Sequence, residues 1–206
     1  MKGIGIGSGL GGVINIKRGH YEFDMKGQEG ACIGSVNGDS ELFIEYCDMD
    51  IYSGISNGTI IGSVNGDADI KLENISAKLQ GAGNVITGIG TIAGNSCMVR
   101  LENVNISSNI RAKECYGIGC RAGRTDIYIG YAAVKSVVQG KAAVAFGNSI
   151  MSAKLYCSNA DVGTNAVTEF NSDIGALEKN IQLENGRAEF ILNGQEVKRQ
   201  ILAARL

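Results

Sequence analysis

Eight side chains suited to ligand contact recur at matching places along this sequence. Phe43, Lys71, Arg100, Tyr128 and Tyr156 follow one another at intervals of 28 or 29 residues. Two positions further on come Glu45, Glu73 and Glu102, continued at the same intervals by Gly130 and Ser158. Beside them run Tyr46, Asn74, Asn103, Tyr131 and Asn159. Carboxylates and amides hydrogen-bond hydroxyl groups, and aromatic rings offer apolar contact with a polar tip. If the intervals bring these residues into columns, Phe43, Glu45, Tyr46, Glu73, Glu102, Tyr128, Tyr131 and Tyr156 form a candidate face for a cation or a hydroxyl-rich ligand such as a sugar. The competing reading is an ordinary solvated face, with Lys71 and Arg100 tempering the glutamates two residues after them.

Catalysis has a thinner basis. Hydrolysing a glycoside takes two carboxylates at a fixed separation. Asp48 and Asp50 are a local acidic pair, with no second cluster of Asp, Arg or Lys to complete a cleft. His20 is the one histidine, so Ser-His-Asp and Cys-His arrangements lack support. The six cysteines, at 32, 47, 97, 115, 120 and 157, form no C-x-x-C pair and no zinc spacing. They read as buried free thiols. Asn37, Asp39, Asn65, Asp67 and Asn95 could supply oxygen ligands to calcium, but Asn and Asp also favour tight turns for local reasons. The turn reading is preferred. Gly5 to Gly12 looks like a phosphate-binding loop only superficially, because no strand–loop–helix unit follows it. No catalytic residue, metal site or cofactor is expected.

What must position the columns is a repeat. Ile-Gly recurs as Ile6-Gly7, Ile33-Gly34, Ile61-Gly62, Ile89-Gly90 and Ile118-Gly119, then as Phe146-Gly147, at spacings of 27, 28, 28, 29 and 28. A further glycine follows at Gly11, Gly38, Gly66, Gly94 and Gly123. Between these marks the apolar residues alternate with period two: Leu42, Ile44, then Cys47, Met49, Ile51; Ile70, Leu72, then Ile75, Ala77, Leu79. Alternation places one set of side chains inward along a strand. The parity shift between the two runs implies a bend, and Ile-Gly marks a third short strand. A helical solenoid is excluded by the period and by 30 glycines in 206 residues. The fold class is therefore all-β: a parallel β-helix, or β-solenoid, of about six three-stranded coils of roughly 28 residues. Coils stack about 4.8 Å apart, so spacing along the chain becomes adjacency in space.

The solenoid domain is expected over residues 1–165. Over 166–206 the register is lost, and Asn185-Gly186 and Asn193-Gly194 stand between strand-like segments. Such dipeptides are strong hairpin signals, so a capping meander is expected there, with a short helix over 200–206. A net charge of −2 leaves no electrostatic footprint for nucleic acid. No apolar run is long enough for a membrane-spanning helix. The N-terminal coil has no comparable cap, so either it pairs with another chain, as in self-association, or the sequence is a piece of a longer protein; the second reading is preferred. Without a signal-peptide core and with unpaired cysteines, a complete chain would be cytoplasmic; a fragment of an exported protein would sit at the cell surface.

The Ile-Gly-Ser-x-x-Gly turn followed by an alternating strand, over roughly residues 3–165, resembles the Gly-rich repeats of clostridial and gut-bacterial proteins of the Ala-Gly-Ile-Gly type. The resemblance implies right-handed coiling, and carbohydrate binding at a cell surface. The leading expectation is thus a non-catalytic binding module for carbohydrate or another cell-surface polymer. A structural or protein-interaction scaffold within a larger protein is the alternative, and a polysaccharide lyase or hydrolase ranks third.

Overall fold

The structure is a computed structural model that describes residues 2–149, 151–170 and 181–202. It contains β1 (Lys2–Ser8), β2 (Gly12–Asn37), β3 (Ser40–Asn65), β4 (Ala68–Glu73), β5 (Ser76–Glu102), β6 (Asn105–Gly130), β7 (Ala133–Gly147), β8 (Ala153–Phe170), β9 (Ile181–Leu192) and β10 (Gln195–Leu202). The strands form one sheet, paired in sequence order. Every pairing is parallel except β9 with β10. This is a β-solenoid of about six turns ending in a hairpin. Register follows the repeat: Ile6 pairs with Ile33, Ile33 with Ile61, Ile61 with Ile89, and Ile89 with Ile118.

Each coil has three runs, seen in β3 as 40–45, 47–56 and 57–65. The break in parity lies at one residue per coil. Arg18, Tyr46, Asn74, Asn103, Tyr131, Asn159 and Asn185 all take the left-handed conformation, with φ between 45° and 58°. A single left-handed residue turns the chain sharply and resets which side chains face inward. Asn tolerates this region well because its short amide can hydrogen-bond locally. Asn103 donates from its amide to the Asn74 side chain one coil below.

The third run departs from a simple three-sided prism. In the first run inward and outward residues alternate in burial, as in Leu42, Phe43, Ile44. In the third run, consecutive residues Thr59, Ile60, Ile61, Gly62, Ser63 and Val64 are all buried. The run is therefore covered on both sides, as parallel strands inside α/β proteins are. A side chain at Gly88 would meet Ile110 and Ser108 of the second run, while Cys97 of the first run donates to the Gly119 carbonyl at 3.5 Å. The third run is an interior strand of the coil.

Glycine is required in that run. Gly34, Gly62, Gly90 and Gly119 have φ of 140°, 137°, 139° and 136°, where L side chains are strained. A Cβ on any of them would overlap the carbonyl of the matching glycine one coil on. The residue after each glycine closes the turn into the next coil. Ser35 Oγ lies 2.6 Å from Ser40 Oγ and donates to the Gly38 carbonyl at 2.8 Å. Thr91 donates to the Gly66 carbonyl at 2.7 Å, and Asn148 to the Gly123 carbonyl at 2.8 Å. These buried hydroxyls and amides supply side-chain donors to the turn carbonyls, and the Gly38 carbonyl takes a second from Ser63 at 2.9 Å.

The C-terminal region differs from the sequence expectation. Leu155 pairs with Ile181 and Ala166 with Leu192 in parallel register, so the coil-on-coil ladder continues past 165 into β9. Asn185-Gly186 is the left-handed corner of that further coil and makes no hairpin. The level is 26 residues on instead of 28, which is why its phase is hard to see in sequence. Only Asn193-Gly194 makes the reversal, joining β9 to the antiparallel β10. β10 continues through Leu202, where a helix was the sequence expectation. Residues 203–206 lie outside the described residues.

Candidate functional site

The outer face of the first run carries the columns. Its ladder pairs Phe43 with Lys71, Lys71 with Arg100, Arg100 with Tyr128, Tyr128 with Tyr156 and Tyr156 with Gln182. The neighbouring ladder pairs Lys17 with Glu45, Glu45 with Glu73, Glu73 with Glu102, Glu102 with Gly130, Gly130 with Ser158 and Ser158 with Glu184. Side-chain size collapses along this second ladder, from glutamates to glycine and serine and back to glutamate. The result is a groove of about 690 Å³. Gly130 and Ser158 form its floor between Glu102 and Glu184, Tyr128 and Tyr156 flank it, and the lining continues past Glu102 to Lys71 and Glu73.

Of the eight residues singled out by spacing, Glu73, Glu102, Tyr128 and Tyr156 line this groove. Phe43 and Glu45 lie on the same face but nearer the N-terminus, outside its lining. Tyr46 and Tyr131 occupy left-handed corners beside the face. They are among the most exposed large hydrophobic side chains, at 56% and 65%. Bulky residues seldom adopt this backbone region. Arg18 lies over the Tyr46 ring, 5.9 Å from its centroid. Gln182 and Glu184 were missed. Their one signal is that Asn185 holds the same corner place as Asn159, which the shortened spacing conceals.

The rings of Tyr128 and Tyr156 are stacked, with centroids 5.0 Å apart and planes 4° from parallel. They stack along the solenoid axis, since their strands neighbour each other in that direction. Their inner faces are spent on each other, so a ligand lying across the pair meets ring edges rather than a free stacking platform.

The charges pair unevenly. Lys71 Nζ lies 2.7 Å from the Glu73 carboxylate, and that hydrogen bond and charge push the Lys71 amine upward in pKa. Glu45 is matched by Lys17 at 3.6 Å. Arg100 turns away from Glu102, the partner its spacing suggested, and binds Asp69 at 2.6 Å. Glu102 has no cation partner among the described residues; its carboxylate lies over the bare Gly130 backbone. Glu184 likewise faces no cation among the described residues. The groove's cations are thus neutralised within the protein, and two carboxylates are left over.

The other candidates resolve into structural roles. His20 hydrogen-bonds Glu22 at 3.1 Å on an exposed surface, and Asp50 pairs with Lys78 at 3.5 Å. Asp39 accepts the Asp67 amide at 2.9 Å, and Asp67 accepts the Asn95 amide at 2.6 Å. The Asn/Asp column is a turn ladder. Among the described residues no group of three His, Cys, Asp or Glu is placed to hold a metal ion. All six cysteines are free and buried. Burial pushes Cys157 up to about 12 and Cys32, Cys115 and Cys120 up to about 11, the opposite of an activated nucleophile. No helix among the described residues is long and apolar enough to cross a membrane.

Comparison with protein families, with curated proteins and with solved structures finds no match to this chain. The resemblance to Ala-Gly-Ile-Gly repeats therefore rests on the motif alone.

Proposed function

We propose that this protein is a non-catalytic binding module whose groove takes a carbohydrate chain or a similar hydroxyl-rich surface polymer. The observation that carries this reading is the drop to Gly130 and Ser158 between Glu102 and Glu184. It opens a groove where every other level of the face is filled by larger side chains. Exposed aromatic side chains are enriched at contact surfaces, and carboxylates accept hydrogen bonds from sugar hydroxyls. The motif's resemblance to repeats described as carbohydrate-binding points the same way. An oligosaccharide array should show binding that is lost in a Tyr128→Ala, Tyr156→Ala double variant retaining its β-sheet circular dichroism. An array with no binder would end the proposal.

A protein-interaction scaffold is the second reading, favoured by one observation. Among the described residues, β1 pairs on one side only, with β2. Leu10 and Val13 on the adjoining turn and strand are 85% and 59% exposed. An unpaired edge offers backbone groups to another strand. Light scattering over a concentration series tests this: a rise in mass that Val13→Lys abolishes supports it, and a constant monomer mass refutes it.

A further inference from the structure

The groove's charge balance narrows the ligand class. This inference rests on the binding role just proposed. Lys71 and Arg100 are held by Glu73 and Asp69 at 2.7 and 2.6 Å. They are therefore poorly available to an anionic sugar. Glu102 and Glu184 line the groove with no cation partner among the described residues, and the stretch between them, Gly130 and Ser158, supplies no positive group. The two carboxylates stand three strand levels apart, about 14 Å at the usual inter-strand spacing. That is too far to share one metal ion, consistent with the lack of a metal-holding group among the described residues. An extended ligand carrying positive charge at intervals suits two separated carboxylates set in a groove with an aromatic wall.

We propose that the groove recognises an amino-sugar polymer with free, protonated amino groups. Its ammonium groups pair with Glu102 and Glu184, and its ring C–H surfaces lie along the edges of Tyr128 and Tyr156. The carboxylates then select by charge, while the groove and the tyrosine wall select a sugar over a simple polyamine.

Isothermal titration in mildly acidic buffer tests this with three probes: a glucosamine oligomer, the same oligomer fully N-acetylated, and oligolysine of equal charge. Acetylation removes the charge and leaves the sugar chain in place. The glucosamine oligomer should bind about tenfold tighter than its acetylated form, the scale set by two exposed ion pairs. In a Glu102→Gln, Glu184→Gln double variant the ratio should fall close to one. Both changes are nearly isosteric and exposed, so the fold is retained. Equal binding of the acetylated oligomer, or a preference that survives the double variant, overturns the inference while leaving the binding module intact. Oligolysine binding as tightly as the glucosamine oligomer removes the sugar from the proposal. If neither oligomer binds but the array shows another glycan, the charge argument fails alone. If no glycan binds at all, the binding role itself falls.

Discussion

The first and third runs of each coil obey the same ladder but treat sequence differently. In two columns of the third run the residue type barely changes: Ile33, Ile61, Ile89 and Ile118, each followed by glycine, while the columns beside them vary among buried types such as Thr59, Thr87, Tyr116 and Val144. Down the outer positions of the first run it changes at almost every level: Phe43, Lys71, Arg100, Tyr128, Tyr156. The third run is covered on both sides and its backbones approach too closely for any Cβ at the glycines. Packing there admits few alternatives. The outer first run meets solvent, so substitutions cost little and side chains are free to build a surface. The interior strand sets the geometry, and the outer strand uses it.

That contrast can be broken first at the glycines. Gly62→Val should cost about 3 kcal/mol or more, because it combines a strained φ with overlap against the Gly90 carbonyl. Gly163→Val, where nothing lies within 4 Å of an added Cβ, should leave the urea midpoint nearly unchanged. Equal effects would refute the interior role of the third run. Next in size, Ile61→Ala should cost about 2–5 kcal/mol by leaving a cavity, against about 1 kcal/mol or less for Phe43→Ala on the outer face.

The interior also carries a pH signature. The buried thiols hold their protons above the ordinary thiol value of 9.0, Cys157 up to about 12. Between those values the unfolded chain has lost protons that the folded chain keeps, so stability falls as pH rises. Denaturant midpoints should be flat through neutral pH, decline above about 9, and decline less steeply in Cys157→Ala. The smallest effect sharpens the comparison at the corners. Tyr131→Asn should stabilise the protein by about 0.5–1 kcal/mol, since Asn tolerates the left-handed region better. A gain in thermal midpoint with a loss of ligand binding would mark Tyr131 as strained for contact. A loss of stability would show that its ring packs in a way its 65% exposure conceals.

Much of this was legible in the residues themselves. Recurrence of Ile-Gly at near-constant spacing states the coil length, and stacked strands must pair like with like, so the ladder follows. The shift in alternation between Ile44 and Cys47 announces the corner now seen at Tyr46. The replacement of glutamate by Gly130 and Ser158 is visible there too, though that it opens a groove is seen only in the structure. These are properties of order along one chain direction, which a repeat makes explicit.

Other features depend on distances between runs that no spacing encodes. Burial of both faces of the third run follows from how the coil folds upon itself. Arg100 had two carboxylates within reach and took Asp69 over Glu102, a choice made by side-chain direction. Asn185-Gly186 has the composition of a hairpin, yet pairing with β8 in parallel register made it a corner. The local dipeptide permits either turn; the unsatisfied backbone groups of the coil beneath decide which one forms, because leaving that edge open costs more than the turn preference is worth.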